Sequence, residues 1–227
     1  MDANMGHSPN EADANAGDLS VTQRVLEELR TEIVTAQLAP GSVIREADVA
    51  ARFRVSKTPV REALQRLLAE DFVMVFPRRG YMVKPVGITD LQNVMALRSY
   101  IEPPLAAIAA KRRSSEVLEQ LEASLALQRD GSAELTDRLA AAPEFHRLIA
   151  AVARNERANG LLRTYFDETS RMHFLFPEAV EHITSETEFA AHREILDAII
   201  AGDAERASAA MAEHLTESNE ALLRSFY

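Results

Sequence analysis

Two amphipathic stretches separated by only three or four residues constrain this chain more than any other feature of it. Glu46–Phe53 reads as a short helix, Arg54-Val55-Ser56 as a tight connection, and Thr58 to Glu70 as a longer helix. Pro59 suits the first turn of that second helix, where its missing N–H costs nothing. Two helices joined by so short a turn must cross steeply, which leaves the N-terminal end of the second free to enter a major groove. Phe72–Phe76 and Tyr81–Val83 read as two short strands around Pro77-Arg78-Arg79-Gly80, a hairpin directly after the helix pair. Upstream, Val21, Val25, Leu26, Leu29, Ile33 and Val34 recur at helical spacing behind Ser20 as a cap, and Pro40-Gly41 is expected to end that helix.

Charge points the same way once it is counted by segment. The net charge of −10 is distributed as −4 over residues 1–18, +3 over 19–86 and −9 over 87–227, and six of the bases fall within 45–66. A phosphate backbone feels only local charge, because screening confines the interaction to about 10 Å. Ser56, Lys57, Thr58 and Arg61 put hydroxyls and cations at a helix N-terminus, where free N–H groups also attract phosphate. Arg45 stands where it can grip the flanking backbone, and Arg78-Arg79-Gly80 at the hairpin tip can reach a minor groove. Residues 1–18 hold almost no large apolar side chain and read as a disordered tail. The chain thus divides into 1–18, 19–86 and 87–227.

From residue 87 onward the pattern is helical throughout, and six segments are expected: 89–111, 114–129, 133–153, 157–176, 185–201 and 203–224. Gly131, Asn155, Pro177 and Gly202 separate them, and Pro103-Pro104 should kink the first. Ile195, Leu196, Ile199 and Ile200 recur with helical period, and the fold class is mainly α: a winged helix-turn-helix followed by a six-helix bundle. Absence of cysteine excludes a disulfide framework and a thiolate metal site. The first residues also lack the basic-then-apolar pattern of a secretory signal, so export is not expected.

Within the bundle, His192 lies ten residues before the turn at Gly202 and His214 twelve after it. At ~1.5 Å per residue, both sit roughly 15–18 Å from the same hairpin end. Level rings that face inward can share an ion, and His146 on an earlier helix can add a third nitrogen.

The segment from Leu38 to Val83, and VSKTPVREALQRL (Val55 to Leu67) above all, resembles the winged helix-turn-helix of the GntR superfamily of bacterial transcription regulators. The resemblance places DNA contacts on Arg45, Ser56, Lys57, Thr58, Arg61, Arg79 and Gly80. Two positions depart from the pattern: Arg54 and Asp71 stand where the family usually has glycine. PEFHRLIAAVARN, AAHREILDAIIAGDAERA and MAEHL are similar to the FCD effector-binding domain of the FadR-type branch, and six helices would match the VanR-like subgroup. That resemblance implies a cytoplasmic bacterial homodimer on an inverted-repeat operator, in which a small carboxylate controls DNA affinity.

In many such domains an Asp and three histidines hold a divalent metal. His146, His192 and His214 match the histidines, but the Asp position is Ala142 here. Zinc, nickel or manganese would then have an open coordination position, to be completed by water, Glu144 or the effector. Arg98 matches a position that faces the pocket in relatives and suits a carboxylate, held through two parallel hydrogen bonds; the alternative is a surface ion pair with Glu102. The competing function is a metal-dependent hydrolase on a three-histidine site, for which Glu144 and His173 are the nearby bases. HExxH, GxSxG and a Walker loop are all absent, which favours the regulator, with no enzyme activity expected.

Overall fold

The computed structural model describes residues 20–224; the tail expected over 1–18 lies outside the described residues. Helix α1 (Val21–Val34) begins at Ser20, whose hydroxyl accepts from the Gln23 N–H at 3.2 Å. It ends earlier than Pro40-Gly41, because Ala36 turns to φ 58° two residues after Val34. Helices α2 (Glu46–Phe53) and α3 (Lys57–Ala69) follow with Arg54, Val55 and Ser56 between them. Arg54 caps α2 in the left-handed conformation at φ 56° and ψ 44°, and Asp71 behind α3 is left-handed at φ 65°. Both non-glycine residues therefore adopt a left-handed backbone shape that glycine adopts most readily.

The hairpin is β2 (Val73–Phe76) and β3 (Gly80–Val83), and a third strand, β1 (Val43–Ile44), pairs with β3. Two residues are too few to show a period of two, so β1 had no signature in the sequence. Gly80 makes this pairing possible. Its φ is 110°, and a Cβ there would stand 2.6 Å from the Ile44 carbonyl oxygen. Val25, Leu29 and Ile33 of α1, Val60, Leu64 and Leu67 of α3, and Phe72 and Val83 close one core.

Among the described residues a second core belongs to seven helices: α4 (Ile88–Arg112), α5 (Ser115–Arg129), α6 (Leu135–Val152), α7 (Glu156–Leu175), α8 (Pro177–Ile183), α9 (Glu186–Ala201) and α10 (Ala204–Arg224). This corrects the expected six. Pro177 does not simply separate two helices; it opens a short one, since a proline at the first helical position lacks only an N–H without an intrahelical partner. Helix α4 runs without a break through Pro103 and Pro104. Ile195, Leu196 and Ile199 are fully buried, whereas Ile200 is half exposed and points away from the core.

The two cores meet through α7. Asp167 accepts from Arg147 of α6 at 2.7 Å and stands 3.5 Å from Arg30 of α1, which also pairs with Glu70 at the end of α3. Arg171 donates to the Lys84 carbonyl in the connection between the halves, at 2.6 Å. Among the described residues no helix is long and apolar enough to cross a membrane.

Candidate functional site

The basic face is built where α3 begins. Ser56 precedes the helix with no capping bond from its side chain, and Ser56, Lys57 and Thr58 are exposed in one run. Arg45 stands just before α2 with its side chain 67% exposed, and its nearest acid, Asp48, is 3.9 Å away. Arg61, one turn into α3, is exposed but not unattached: its Nε and one terminal nitrogen donate to the two carboxylate oxygens of Glu46 at 2.9 and 2.7 Å. At the hairpin tip Arg79 lies over the Phe76 ring, 5.4 Å from its centroid, and Arg78 is left-handed at φ 64°. Gly80 serves the close approach of β1 described above. Arg52, by contrast, is held by Glu32 at 2.7 Å.

The three histidines meet in the bundle. His146 of α6, His192 of α9 and His214 of α10 are buried, and their Nε2 atoms form a triangle with edges of 3.2, 3.3 and 3.1 Å. Two of the rings are oriented from behind. His146 Nδ1 lies 2.6 Å from a carboxylate oxygen of Glu102, and His192 Nδ1 lies 2.6 Å from the Gln128 side-chain oxygen. The Gln128 amide nitrogen faces the Ala141 carbonyl at 3.5 Å, which leaves its oxygen for His192. Both partners only accept, so both Nδ1 atoms donate and each Nε2 can turn a lone pair to the common point. Burial, reinforced by His214, holds His192 well below the ordinary histidine value, and burial takes His214 down to about 4. Three nitrogens bound tetrahedrally to one zinc at 2.0–2.1 Å stand about 3.3 Å apart, and the triangle fits that spacing. A proton shared among three acceptors cannot satisfy all of them; a cation can.

The triangle borders a narrow cavity of about 20 Å³, also lined by Arg98, Ala142, Thr169, His173, His182 and Glu188. That is room for an ion and little more, so an organic ligand requires the cavity to open. Arg98 is in this lining, yet its pair with Glu102 (Nε to Oε1, 2.6 Å) is buried rather than on the surface. Burial would raise the Glu102 carboxyl, but Arg98 and His146 outweigh it and hold it at about 2. Because Nε takes Glu102, the far edge of the guanidinium is directed at Thr169, 3.4 Å away.

Glu144 is a correction. It is exposed and paired with Arg147 at 3.5 Å, outside the cavity, so it cannot complete a metal shell or act as a base there. The carboxylate that does face the cavity is Glu188, four residues before His192 and so on the same face of α9. Its Oε1 is 3.5 Å from His192 Nε2 and its Oε2 is 3.0 Å from His182 Nε2. Burial pushes this carboxyl up, and His214, His192 and His182 outweigh that and hold it well below the usual range. His173 lines the cavity with a buried, unpartnered Nδ1, and burial lowers it to about 3. Glu102, Gln128, Glu188 and His182 were not singled out from sequence as site residues. The i, i+4 spacings Arg98/Glu102 and Glu188/His192 were the available signals. A Ser/His/carboxylate relay is not assembled: Ser218 and Glu188 both face the same nitrogen of His182, at 3.5 and 3.0 Å.

Comparison with known proteins decides between the two function classes. The family model described as the FCD domain matches residues 93–217, more than half of the chain, and that described as bacterial regulatory proteins, gntR family, matches 21–83. This chain belongs to the GntR family. The GntR regulator is 28% identical over 205 residues to the HTH-type transcriptional repressor RspR of Escherichia coli K12, covering 89% of each chain. It is 26% identical over 202 residues to the transcriptional repressor GlaR of the same organism, covering 82% of this chain and 89% of that one. Among solved structures, a GntR transcriptional regulator from Rhodococcus sp. RHA1 superposes with a TM-score of 0.78 at 26% identity, over 91% of this chain and 99% of that one. E. coli McbR/YncC shares the fold with a TM-score of 0.77 at 21% identity, over 92% of this chain and 100% of that one. The protein is a transcription regulator with a GntR winged helix-turn-helix and an FCD effector-binding domain; nothing in these comparisons supports the hydrolase.

Proposed function

We propose that this GntR regulator is a homodimeric repressor that binds an inverted-repeat operator through residues 19–86 and releases or tightens it when a small carboxylate enters the domain formed by residues 87–227. Arg45, Ser56, Lys57, Thr58, Arg61, Arg79 and Gly80 form the DNA face. His146, His192 and His214 hold a divalent ion, zinc, nickel or manganese, which when bound supplies positive charge for an effector carboxylate. The observation that carries this reading is the triangle of Nε2 atoms 3.1–3.3 Å apart, with two rings locked from behind by Glu102 and Gln128. Glu188 supplies, from α9, negative charge that Ala142 cannot supply from α6. Arg98 keeps Glu102 on its Nε and offers its outer edge to the effector, so capture of an acid group does not cost it the buried partner.

The test is calorimetric titration of the full chain with each metal, followed by a thermal-shift screen of small carboxylic acids on the loaded protein. One ion per chain is expected for the parent, and binding at least about tenfold weaker for His192→Ala and for Glu188→Gln. A selective acid should raise the melting temperature by mass action and change operator affinity about 5–150-fold. A parent that binds no metal, or a His192→Ala variant that binds it equally well, removes the three-histidine centre from the proposal.

A further inference from the structure

The bidentate clasp between Glu46 and Arg61 divides the cations of the basic face into two kinds. Arg45 has only a carboxylate 3.9 Å away, and neither it nor Lys57 is locked in a two-point pair. Such cations are free to follow phosphates. Arg61 is different. Glu46, the first residue of α2, receives the Nε–H and one terminal N–H of Arg61 at 2.9 and 2.7 Å. The clasp crosses the helix-turn-helix and binds the start of one helix to the second turn of the other. Its carboxylate is more sheltered than its guanidinium, with side chains 21% and 57% exposed. The clasp therefore fixes the inner edge of Arg61 and leaves the outer edge in solvent.

We infer that Glu46 is a specificity-determining positioning residue, which presents Arg61 end-on so that its outer edge reads a guanine in the operator. A guanidinium has five N–H donors, and Glu46 uses the two on one side. The end that remains is a flat fork of parallel N–H bonds with no acceptor among them. In the major groove only guanine presents two acceptors, O6 and N7, side by side to match such a fork; adenine places its N6 amino donor against one of the tines. Holding the fork has a second effect. A free arginine can drop onto the nearest phosphate, which carries no sequence information, whereas a clasped one cannot do so without losing Glu46. The carboxylate also repels the phosphate backbone, so it lowers affinity for DNA in general while sharpening the choice of base. This inference rests on the DNA-binding reading proposed above and goes beyond it in naming the base and the residue that enforces it.

In-vitro selection from a random duplex pool tests it with the full chain, compared among the parent, Glu46→Gln and Arg61→Ala. The parent should select an inverted repeat with a guanine fixed at one position of each half-site. Arg61→Ala should lose the preference at that position, worth about 5- to 150-fold over the other bases for one bidentate contact, and keep it elsewhere. Glu46→Gln should lower the preference for guanine over adenine there by about threefold or more. The same variant should bind unselected DNA as tightly as the parent or more tightly. That opposite movement separates positioning from mere loss of folding, which would weaken both kinds of binding. Unchanged base preference in Glu46→Gln overturns the inference, as does Arg61→Ala retaining the guanine. Failure of the parent to select any motif removes the DNA-binding reading itself, a different and recognisable result.

Discussion

Single residues in this protein hold backbone shapes that their side chains do not favour. Arg54 is the clearest instance. Its left-handed backbone (φ 56°) turns the chain from α2 toward α3, and its N–H reaches back to the Ala50 and Ala51 carbonyls. A Cβ in that conformation crowds the following carbonyl at a cost of about 1–2 kcal/mol, which glycine avoids while losing more entropy on folding. Arg54→Gly should therefore stabilise the chain by about 0.5–1 kcal/mol, read as a rise in the midpoint of urea unfolding at unchanged slope. A fall in the midpoint would mean that the exposed Arg54 side chain contributes something the turn geometry does not reveal. The same departure from glycine was legible in the sequence, because the turn was recognised by its neighbours Val55, Ser56, Lys57 and Thr58. The histidine triangle was legible too, from the level spacing of His192 and His214 around Gly202. The partners behind it were not. Glu102 and Gln128 lie 44 and 64 residues from the histidines they orient, and no periodicity along the chain announces such a meeting.

Among the elements, α7 touches both halves of the molecule at once. Phe166, Thr169 and His173 line the histidine cavity, while Asp167 and Arg171, one and two residues away, face α1 and the connection at Lys84. Burial raises the Asp167 carboxyl despite the guanidiniums of Arg147 and Arg30 beside it. The pairing therefore recovers only part of its desolvation, and its contribution is to fix where α1 sits on α7 more than to add stability. Glu168 completes this junction. Burial, with repulsion from Asp71 and Asp90, raises its carboxyl to about 7 against the pull of Lys84 and Arg171. An acid whose folded value is raised binds its proton more tightly in the folded chain, so folding stability falls as pH rises from the unfolded value of about 4.5 toward 7. Glu168→Gln should thus stabilise the chain at pH 8 by about 1–3 kcal/mol, with the gain shrinking to nothing below about pH 4.5. Melting curves of parent and variant across that range provide the measurement, and a difference that does not change with pH would rule out this origin. None of this was readable from sequence. The helical pattern located α7 but could not say that its successive turns serve two neighbours, and it read Pro177 as a break where the chain opens α8.

On the scale of the whole molecule, the exposed surface of helix α4 between Asp90 and Lys111 carries no charge. Between Asp90 and Lys111, helix α4 carries only two charged residues, Arg98 and Glu102, and both are turned into the cavity side and buried. Its outer surface presents Tyr100 at 76% exposure, flanked by Leu97 and Ile101, and α7 adds Leu161 at 54%. In a chain with 26% charged residues, several helical turns of uncharged surface with large apolar side chains are suited to contact another protein surface. A second copy of the chain is the occupant that the proposed inverted-repeat operator calls for, since a two-fold site is matched by a two-fold protein. It also answers the charge distribution. In the proposed dimer two basic heads would repel each other until DNA neutralises them, which places the proposed subunit contact in the other half. Sedimentation of the full chain at micromolar concentration should give twice the 25.1 kDa chain mass. The pair Tyr100→Glu and Leu161→Glu should halve it while leaving the melting of the fold nearly unchanged, because both side chains already face solvent. The same variant should bind a two-half-site operator about 10²–10⁴-fold more weakly, since the second head no longer arrives by linkage to the first. A parent that sediments as a monomer, or a doubly charged variant that remains dimeric, would place the subunit contact on another surface and leave the uncharged face of α4 without this role.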